Sequence, residues 1–230
     1  MSEKLGLIMV LLLLFVCSGC SVWNAVRGCP DGEIEWIDSL KLNDISYTGD
    51  FNGVSTESSF EKGDKVGEVK YMMADHACSN HKARNGDAAF LPVGTEVYKA
   101  AGYRTDFRVI AEDRVFQVRE NKAAGTIGEL YDIEGKVTGI SLESEVDNSQ
   151  IAEVTGEQTK SFIEEYLSLD YVGYDKVMDD VEGNNRVFLR IHLQDGSSFL
   201  ESYWLDKNVI ITGAYGTDRM KSIIEEEMRQ

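Results

Sequence analysis

Arg186-Val187-Phe188-Leu189-Arg190-Ile191-His192-Leu193 and Ser198-Phe199-Leu200-Glu201-Ser202-Tyr203-Trp204-Leu205 are alternating apolar runs on either side of Gln194-Asp195-Gly196-Ser197. Period-two alternation is the pattern of a half-buried strand, and Asp-Gly between two such runs is a strong hairpin signal. A two-residue type I′ turn at Asp195-Gly196 pairs His192 with Phe199, Arg190 with Glu201 and Phe188 with Tyr203. Val187, Leu189, Ile191, Leu193, Leu200 and Trp204 then make the buried face, and the outer face carries an opposite-charge pair and aromatic pairs.

On the C-terminal side, a strand over 208–212 leads through Gly213-Ala214-Tyr215-Gly216 into a helix capped by Thr217 or Asp218, with Met220, Ile223, Ile224 and Met228 on one stripe. On the N-terminal side, Thr155-Gly156-Glu157-Gln158 has the capping-box form and opens a helix over 156–167, with Phe162, Ile163, Tyr166 and Leu167 on one face. A Tyr-rich linker joins that helix to the hairpin. Earlier still, short β-rich runs at 88–91, 95–100, 107–111, 114–119 and 136–142 have the spacing of an antiparallel sheet or small barrel. Strands are also expected around Trp36 and Ile45 and over 65–73, with polar loops over 49–63 and 75–87. Helices come late and do not alternate with strands, so the fold class is α+β. An antiparallel β-rich module over 33–147 precedes a helix–hairpin–strand–helix module over 148–230.

The chain has 230 residues, 23 basic and 40 acidic, for a net charge of −17. That balance counts against nucleic acid, whose phosphates need a basic surface. With 43% hydrophobic residues and two prolines, the composition excludes a disordered or collagen-like chain. After the N-terminus no apolar run approaches the roughly 20 residues of a membrane span.

The first residues are Met1-Ser2-Glu3-Lys4, an apolar block over 5–16, and Cys17-Ser18-Gly19-Cys20. The block has the length of a secretory h-region and is short for a spanning helix. Ser18-Gly19-Cys20 resembles the lipobox of a bacterial lipoprotein precursor. The resemblance implies a signal peptide over 1–19, a diacylglycerol on the Cys20 thiol, and a polar tether over 20–32. Cys17 stands where that family usually has Leu, and Glu3 offsets Lys4 in the n-region. Two acyl chains on one residue are enough for stable anchoring, which implies a membrane contact through lipid and an extracytoplasmic domain. The segments Gly67-Glu68-Val69-Lys70, Asn85-Gly86-Asp87-Ala88-Ala89-Phe90 and Gly94-Thr95-Glu96-Val97-Tyr98 are also similar to small Gram-positive surface lipoproteins of unknown role.

The densest polar cluster is Asp75-His76-Ala77-Cys78-Ser79-Asn80-His81. His76, Cys78 and His81, completed by Cys29, have the donor types of a zinc or copper site, although the spacing matches no paired zinc signature. The competing reading is a Cys29–Cys78 disulfide, since these are the thiols left once Cys20 is lipidated and residues 1–19 are removed. His192 reads as a half-exposed strand residue. Ser59-Phe60-Glu61-Lys62 matches Ser-x-x-Lys, but the accompanying Ser-Asp-Asn and Lys-Thr-Gly are absent. Residues 179–185 read as a solvated acidic turn instead of a calcium loop. No coherent set of nucleophile, base and stabiliser emerges. The expectation is therefore a non-catalytic binding domain that needs no cofactor, with an envelope protein or small ligand as partner. A metal- or redox-linked lipoprotein and a cell-envelope hydrolase without a readable motif are the alternatives.

Overall fold

The computed structural model describes residues 29–30, 34–49, 60–74, 76–181 and 185–229. The signal peptide, Cys20, most of the tether, Ser59, Asp75 and residues 182–184 of the acidic turn lie outside the described residues. Among the described residues two sheets build the fold. The first contains β1 (Ser39–Leu42), β2 (Ile45–Gly49), β3 (Lys62–Glu68), β4 (Tyr71–Met72), β5 (Asp87–Ala88), β6 (Glu96–Ala100), β7 (Arg108–Ala111) and β8 (Arg114–Glu120). Their order is β3-β6-β7-β8-β2-β1-β5-β4, antiparallel throughout except for β4 with β5. β3 and β4 stand at opposite ends of that order, yet only Val69 and Lys70 separate them in the chain. The sheet must therefore curl back on itself. The Val69 amide donates to Thr95 (2.9 Å) and the Lys70 amide to Gly86 (2.7 Å), which joins the two ends.

Type I′ geometry appears at two hairpins in this sheet. Asn43 and Asp44 (φ 52° and 64°) turn β1 into β2, and Glu112 and Asp113 (φ 49° and 60°) turn β7 into β8. Two successive positive φ values match the twist of the flanking strands.

The second sheet contains β9 (Val137–Glu143), β10 (Gln150–Val154), β11 (Arg186–Leu193), β12 (Ser198–Trp204), β13 (Val209–Ile210) and β14 (Ala214–Tyr215), in the order β10-β9-β11-β12-β13-β14. Among the described residues four helices accompany the sheets: α1 (Ile127–Leu130), α2 (Gly156–Ser168), α3 (Tyr174–Met178) and α4 (Asp218–Glu227). The fold is α+β, with strands dominant in the N-terminal part and the long helices in the C-terminal part. α2 buries Phe162, Ile163 and Tyr166, and α4 buries Met220, Ile223 and Ile224. Thr217 caps α4 by accepting from the Met220 amide (3.1 Å).

Three sequence expectations need correction. A boundary at 147/148 would cut the β9–β10 hairpin, because β9 pairs with β10 and β11 and so belongs to the second sheet. One buried cluster also runs continuously from Leu40 of β1 to Ile224 of α4, so both parts share a core. Thr155 sits at the N-cap of α2 without a side-chain cap bond, and the first turn is fastened instead by Thr159, whose hydroxyl donates to Val154 (2.6 Å).

The third correction concerns the hairpin. His192 faces Ser198, Arg190 faces Leu200 and Phe188 faces Ser202, one residue away from the expected pairing. The loop has three residues, Gln194, Asp195 and Gly196. The Gly196 amide donates to Leu193 (3.0 Å), the Leu193 amide donates to Ser197 (2.8 Å), and Gly196 has φ 82°. This is the three-residue hairpin in which a turn ends on a left-handed glycine. A one-residue slip sends a whole strand to its other face. Val187, Leu189, Ile191 and Leu193 keep their inward places, but β12 buries Phe199, Glu201 and Tyr203 in place of Leu200 and Trp204.

Gly196→Val should destabilise the protein by about 1–3 kcal/mol, the range for forcing a β-branched residue into a sparse backbone region. Nothing lies within 4 Å of a Cβ placed there, so the cost is purely conformational. Chemical denaturation measures it, and Gly196→Asn should recover part of the loss because Asn tolerates positive φ. An unchanged midpoint for the Val variant would refute this turn geometry.

Candidate functional site

The polar loop over 73–86 is fastened to the N-terminal segment by a disulfide between Cys29 and Cys78, with Cα atoms 5.2 Å apart. The Ser79 hydroxyl approaches the Pro30 carbonyl at 3.5 Å. His81 Nε2 meets Asp87 Oδ2 at 2.7 Å, and the Arg84 amide donates to the same oxygen at 2.9 Å. The Tyr71 ring lies 5.4 Å from the His81 ring and 6.1 Å from the His76 ring. A metal would need the sulfurs of Cys29 and Cys78 as thiolates, and the disulfide consumes both. Among the described residues no three His, Cys, Asp or Glu side chains converge on a common point.

Glu201 is the residue that the sequence reading placed on the wrong face. It is 1% exposed, with no cation bonded to it among the described residues. Tyr131 donates its hydroxyl to Oε1 (2.7 Å), and the Thr212 hydroxyl lies 2.6 Å from each carboxyl oxygen. The Tyr166 hydroxyl is also buried beside this carboxyl, outside hydrogen-bonding geometry. Burial pushes the Glu201 pKa up to about 7, against the hydroxyls that favour the ionised form. The same burial, reinforced by the Glu201 charge, holds both tyrosines well above the ordinary phenol range. Glu201, Tyr131 and Tyr166 are all buried, so this cluster lies within the core.

On the outer face of the second sheet, Ser141 Oγ and His192 Nε2 are 2.7 Å apart. They border a shallow depression of about 420 Å³, where the carboxylate of Glu153 reaches over Gly139, the residue opposite His192 in the ladder. Burial, and then the neighbouring Arg190 charge, lower the His192 pKa; Glu143 and Glu153 oppose the shift. Arg190 is itself held by both oxygens of Glu143. The expected Arg190–Glu201 pair is therefore replaced by one across β11 and β9. Ser141 occupies a strand position with ladder partners on both sides, Glu153 and Arg190, which leaves no turn amides beside it to receive an oxyanion.

Another concavity lies where the two parts of the chain meet. It is an open groove of about 580 Å³ between the segment 34–37, strands β2 and β8, and α3. Trp36, Ile37 and Tyr174 supply apolar and aromatic surface, while Arg119, Lys122 and Asp175 supply charge. The Arg119 guanidinium stands 5.7 Å from the Tyr174 ring centre. A smaller recess of about 280 Å³ continues the groove past Tyr171 and Gly173, sharing Glu120, Lys122, Tyr174 and Asp175 with it. Burial and then the Glu120 charge push the Tyr171 pKa up to about 12.

A close backbone approach sets the position of Tyr174. The Val172 amide donates to Gly213 (2.8 Å), and a Cβ on Gly213 would come within 2.5 Å of the Gly173 backbone. Gly213 has φ 129° and Gly173 has φ 88°, so neither position accommodates a side chain readily. In the sequence this region reads only as a Tyr-rich linker. Its tyrosines stand out in the sequence, but nothing in the linker indicates which strands it faces.

No protein-family model, no curated protein and no solved structure matches this chain.

The Glu201 cluster predicts an unusual pH dependence of stability. Folded Glu201 keeps its proton up to about pH 7, whereas the unfolded side chain releases it near 4.5. Between those values the folded state binds more protons, so this residue's contribution falls as pH rises and is lost above 7. At roughly 1.4 kcal/mol per pH unit, the loss is about 3 kcal/mol. Glu201→Gln removes the ionisation and keeps the shape. The stability difference between variant and parent should therefore grow in the variant's favour from pH 4.5 to pH 7, as followed by denaturant titration. A pH-independent difference would show that the fold does not raise the Glu201 pKa above its unfolded value.

Proposed function

We propose that this chain is a lipid-anchored extracytoplasmic protein that works by binding, with the groove between Trp36 and Tyr174 as its ligand site. The location rests on Ser18-Gly19-Cys20 and is supported by the Cys29–Cys78 disulfide, a bond suited to an oxidising compartment. The single observation that carries the binding reading is the groove at the junction of the two parts. It has aromatic faces, both signs of charge, and a volume within the usual range for ligand pockets. Its residues offer stacking, ion pairing and hydrogen bonds, the chemistry of recognition. A small polar ligand or an extended segment of an envelope protein fits this lining.

The Ser141–His192 contact favours a second reading, a cell-envelope hydrolase, in which His192 accepts the Ser141 proton. The two readings place the ligand on different faces of the molecule.

Cys20→Ser should abolish incorporation of labelled palmitate and leave an unprocessed precursor, because a serine oxygen does not form the thioether. Normal labelling and maturation of that variant would refute the anchor. Ligand location is checked by titrating a small-molecule fragment library into the protein and following backbone and indole resonances. Perturbations should concentrate at Trp36, Arg119 and Tyr174, and Tyr174→Ala should weaken those fragments about tenfold, the order for one lost aromatic contact. Fragments that gather at Ser141 and His192 would favour the hydrolase instead.

A further inference from the structure

We infer that the loop cluster around Cys78, with Phe90 and Val93 at its tip and Lys70, Lys82 and Arg84 beside them, is the face that rests on an anionic phospholipid surface. The inference builds on the lipid-anchor reading and adds an orientation to it.

The first observation is one of reach. Cys78 is bonded to Cys29, which lies nine residues after Cys20. Nine extended residues span at most roughly 30 Å, so an acylated Cys20 keeps this loop within that distance of the bilayer.

The second observation is an exposed apolar tip. Phe90 is 47% and Val93 65% exposed, on either side of buried Leu91. The tip is joined to the disulfide loop by main-chain bonds, since the Ala74 amide donates to Ala89 (3.0 Å) and the Gly94 amide to Val69 (2.8 Å). The tip and the anchored loop therefore move as one piece.

The third observation is local charge. The protein carries 40 acidic side chains, yet between residues 76 and 95 the one carboxylate is Asp87, which is buried against His81. Exposed Lys82 and Arg84 lie in that stretch, and the stem of Lys70 crosses Gly86 next to them. Among the described residues none of these three cations has an ion-pair partner. Glu68 and Glu96, which flank Val69 and Thr95 beside the patch, are both held by Lys65, and Asp44 is bonded to Asn85. An apolar tip flanked by exposed cations matches the interfacial zone of a membrane, where side chains like these sit at the headgroups.

The test uses the full-length chain, produced in a host that acylates lipoproteins and reconstituted into vesicles of phosphatidylglycerol and phosphatidylcholine. A benzophenone amino acid is placed at position 90, at 93, or at 146; Val146 is 88% exposed on the β9–β10 loop of the other sheet. Lipid adducts are counted after irradiation, and acylation of Cys20 is read separately by mass spectrometry. Positions 90 and 93 should crosslink to lipid severalfold more than position 146. Lys82→Gln with Arg84→Gln should lower that yield by roughly fivefold per cation, as should replacing phosphatidylglycerol with phosphatidylcholine. Equal yields at the three positions in an acylated protein would overturn the orientation while leaving the anchor standing. An unacylated Cys20 with no adduct anywhere would overturn both.

Discussion

The guanidinium of Arg108 is fully buried between the two sheets, and the geometry of the hairpin follows from where it points. Arg108 belongs to β7 and is steadied there by the side chain of Gln117, its neighbour on β8 (2.9 Å). Its Nη1 donates across the sheets to Ser197 Oγ (2.8 Å) and stands 3.8 Å from Asp195 Oδ2. The rings of Tyr103 and Phe107 lie 4.8 Å from the guanidinium carbon. Burial lowers the Arg108 pKa, opposed by the hydroxyl and carboxylate partners around it. Burial raises that of Asp195, but bonds from Tyr103 and Ser197 and the Arg108 charge more than reverse this, leaving the carboxyl below its ordinary range. A buried charge of this kind adds little net stability beyond its desolvation cost, yet leaving it unpaired is expensive. It therefore acts on which arrangement forms.

That constraint explains the hairpin. A two-residue turn would place Ser197 in the ladder opposite Gln194. The three-residue loop instead leaves the Asp195 carboxylate free to accept from the Ser197 amide (2.9 Å), the Ser197 hydroxyl (2.7 Å) and the Tyr103 hydroxyl (2.6 Å). The turn is thus pinned from the other sheet. Once pinned, β12 shows Phe199, Glu201 and Tyr203 to the interior. Phe199 completes a chain of aromatic contacts with Phe107 (6.4 Å) and Tyr131 (5.3 Å), and Tyr131 continues it to Tyr166 (6.3 Å). Such ring pairs contribute roughly 0.5–1.5 kcal/mol each beyond the area they bury. The accompanying cost is a carboxyl group in the core, and Tyr131 and Thr212 reduce it by bonding to that group.

Much of the fold could be read from local pattern, because local pattern is what β-strands and helices obey. The alternation in 186–193, the apolar stripes of α2 and α4, and the turns that divide the first sheet all correspond to observed elements. The fold class followed from their order. Long-range pairing could not be read in the same way. The turn signal Asp195-Gly196 is satisfied by a two-residue or a three-residue loop, and the choice rests on Arg108, about ninety residues away. β10, α1 and α3 went unseen because they are short and half-exposed, so tertiary contacts rather than periodicity define them. The candidate groove was hidden for a related reason. Trp36 and Tyr174 are far apart in the chain, and neither sits in a motif.

The groove also depends on the seam between the sheets. One wall comes from β2 and β8, which are held together by the β1–β2–β8 ladders. The other wall is α3, a five-residue helix too short to be stable alone, positioned by the contact of Gly173 with Gly213 on the second sheet. A shift of one sheet relative to the other would therefore open or close the space between Trp36 and Tyr174 without changing either wall. Arg108 and the aromatic chain resist that shift from inside the core. A buried cation that contributes little to stability is thus well placed to fix the width of a groove it never touches.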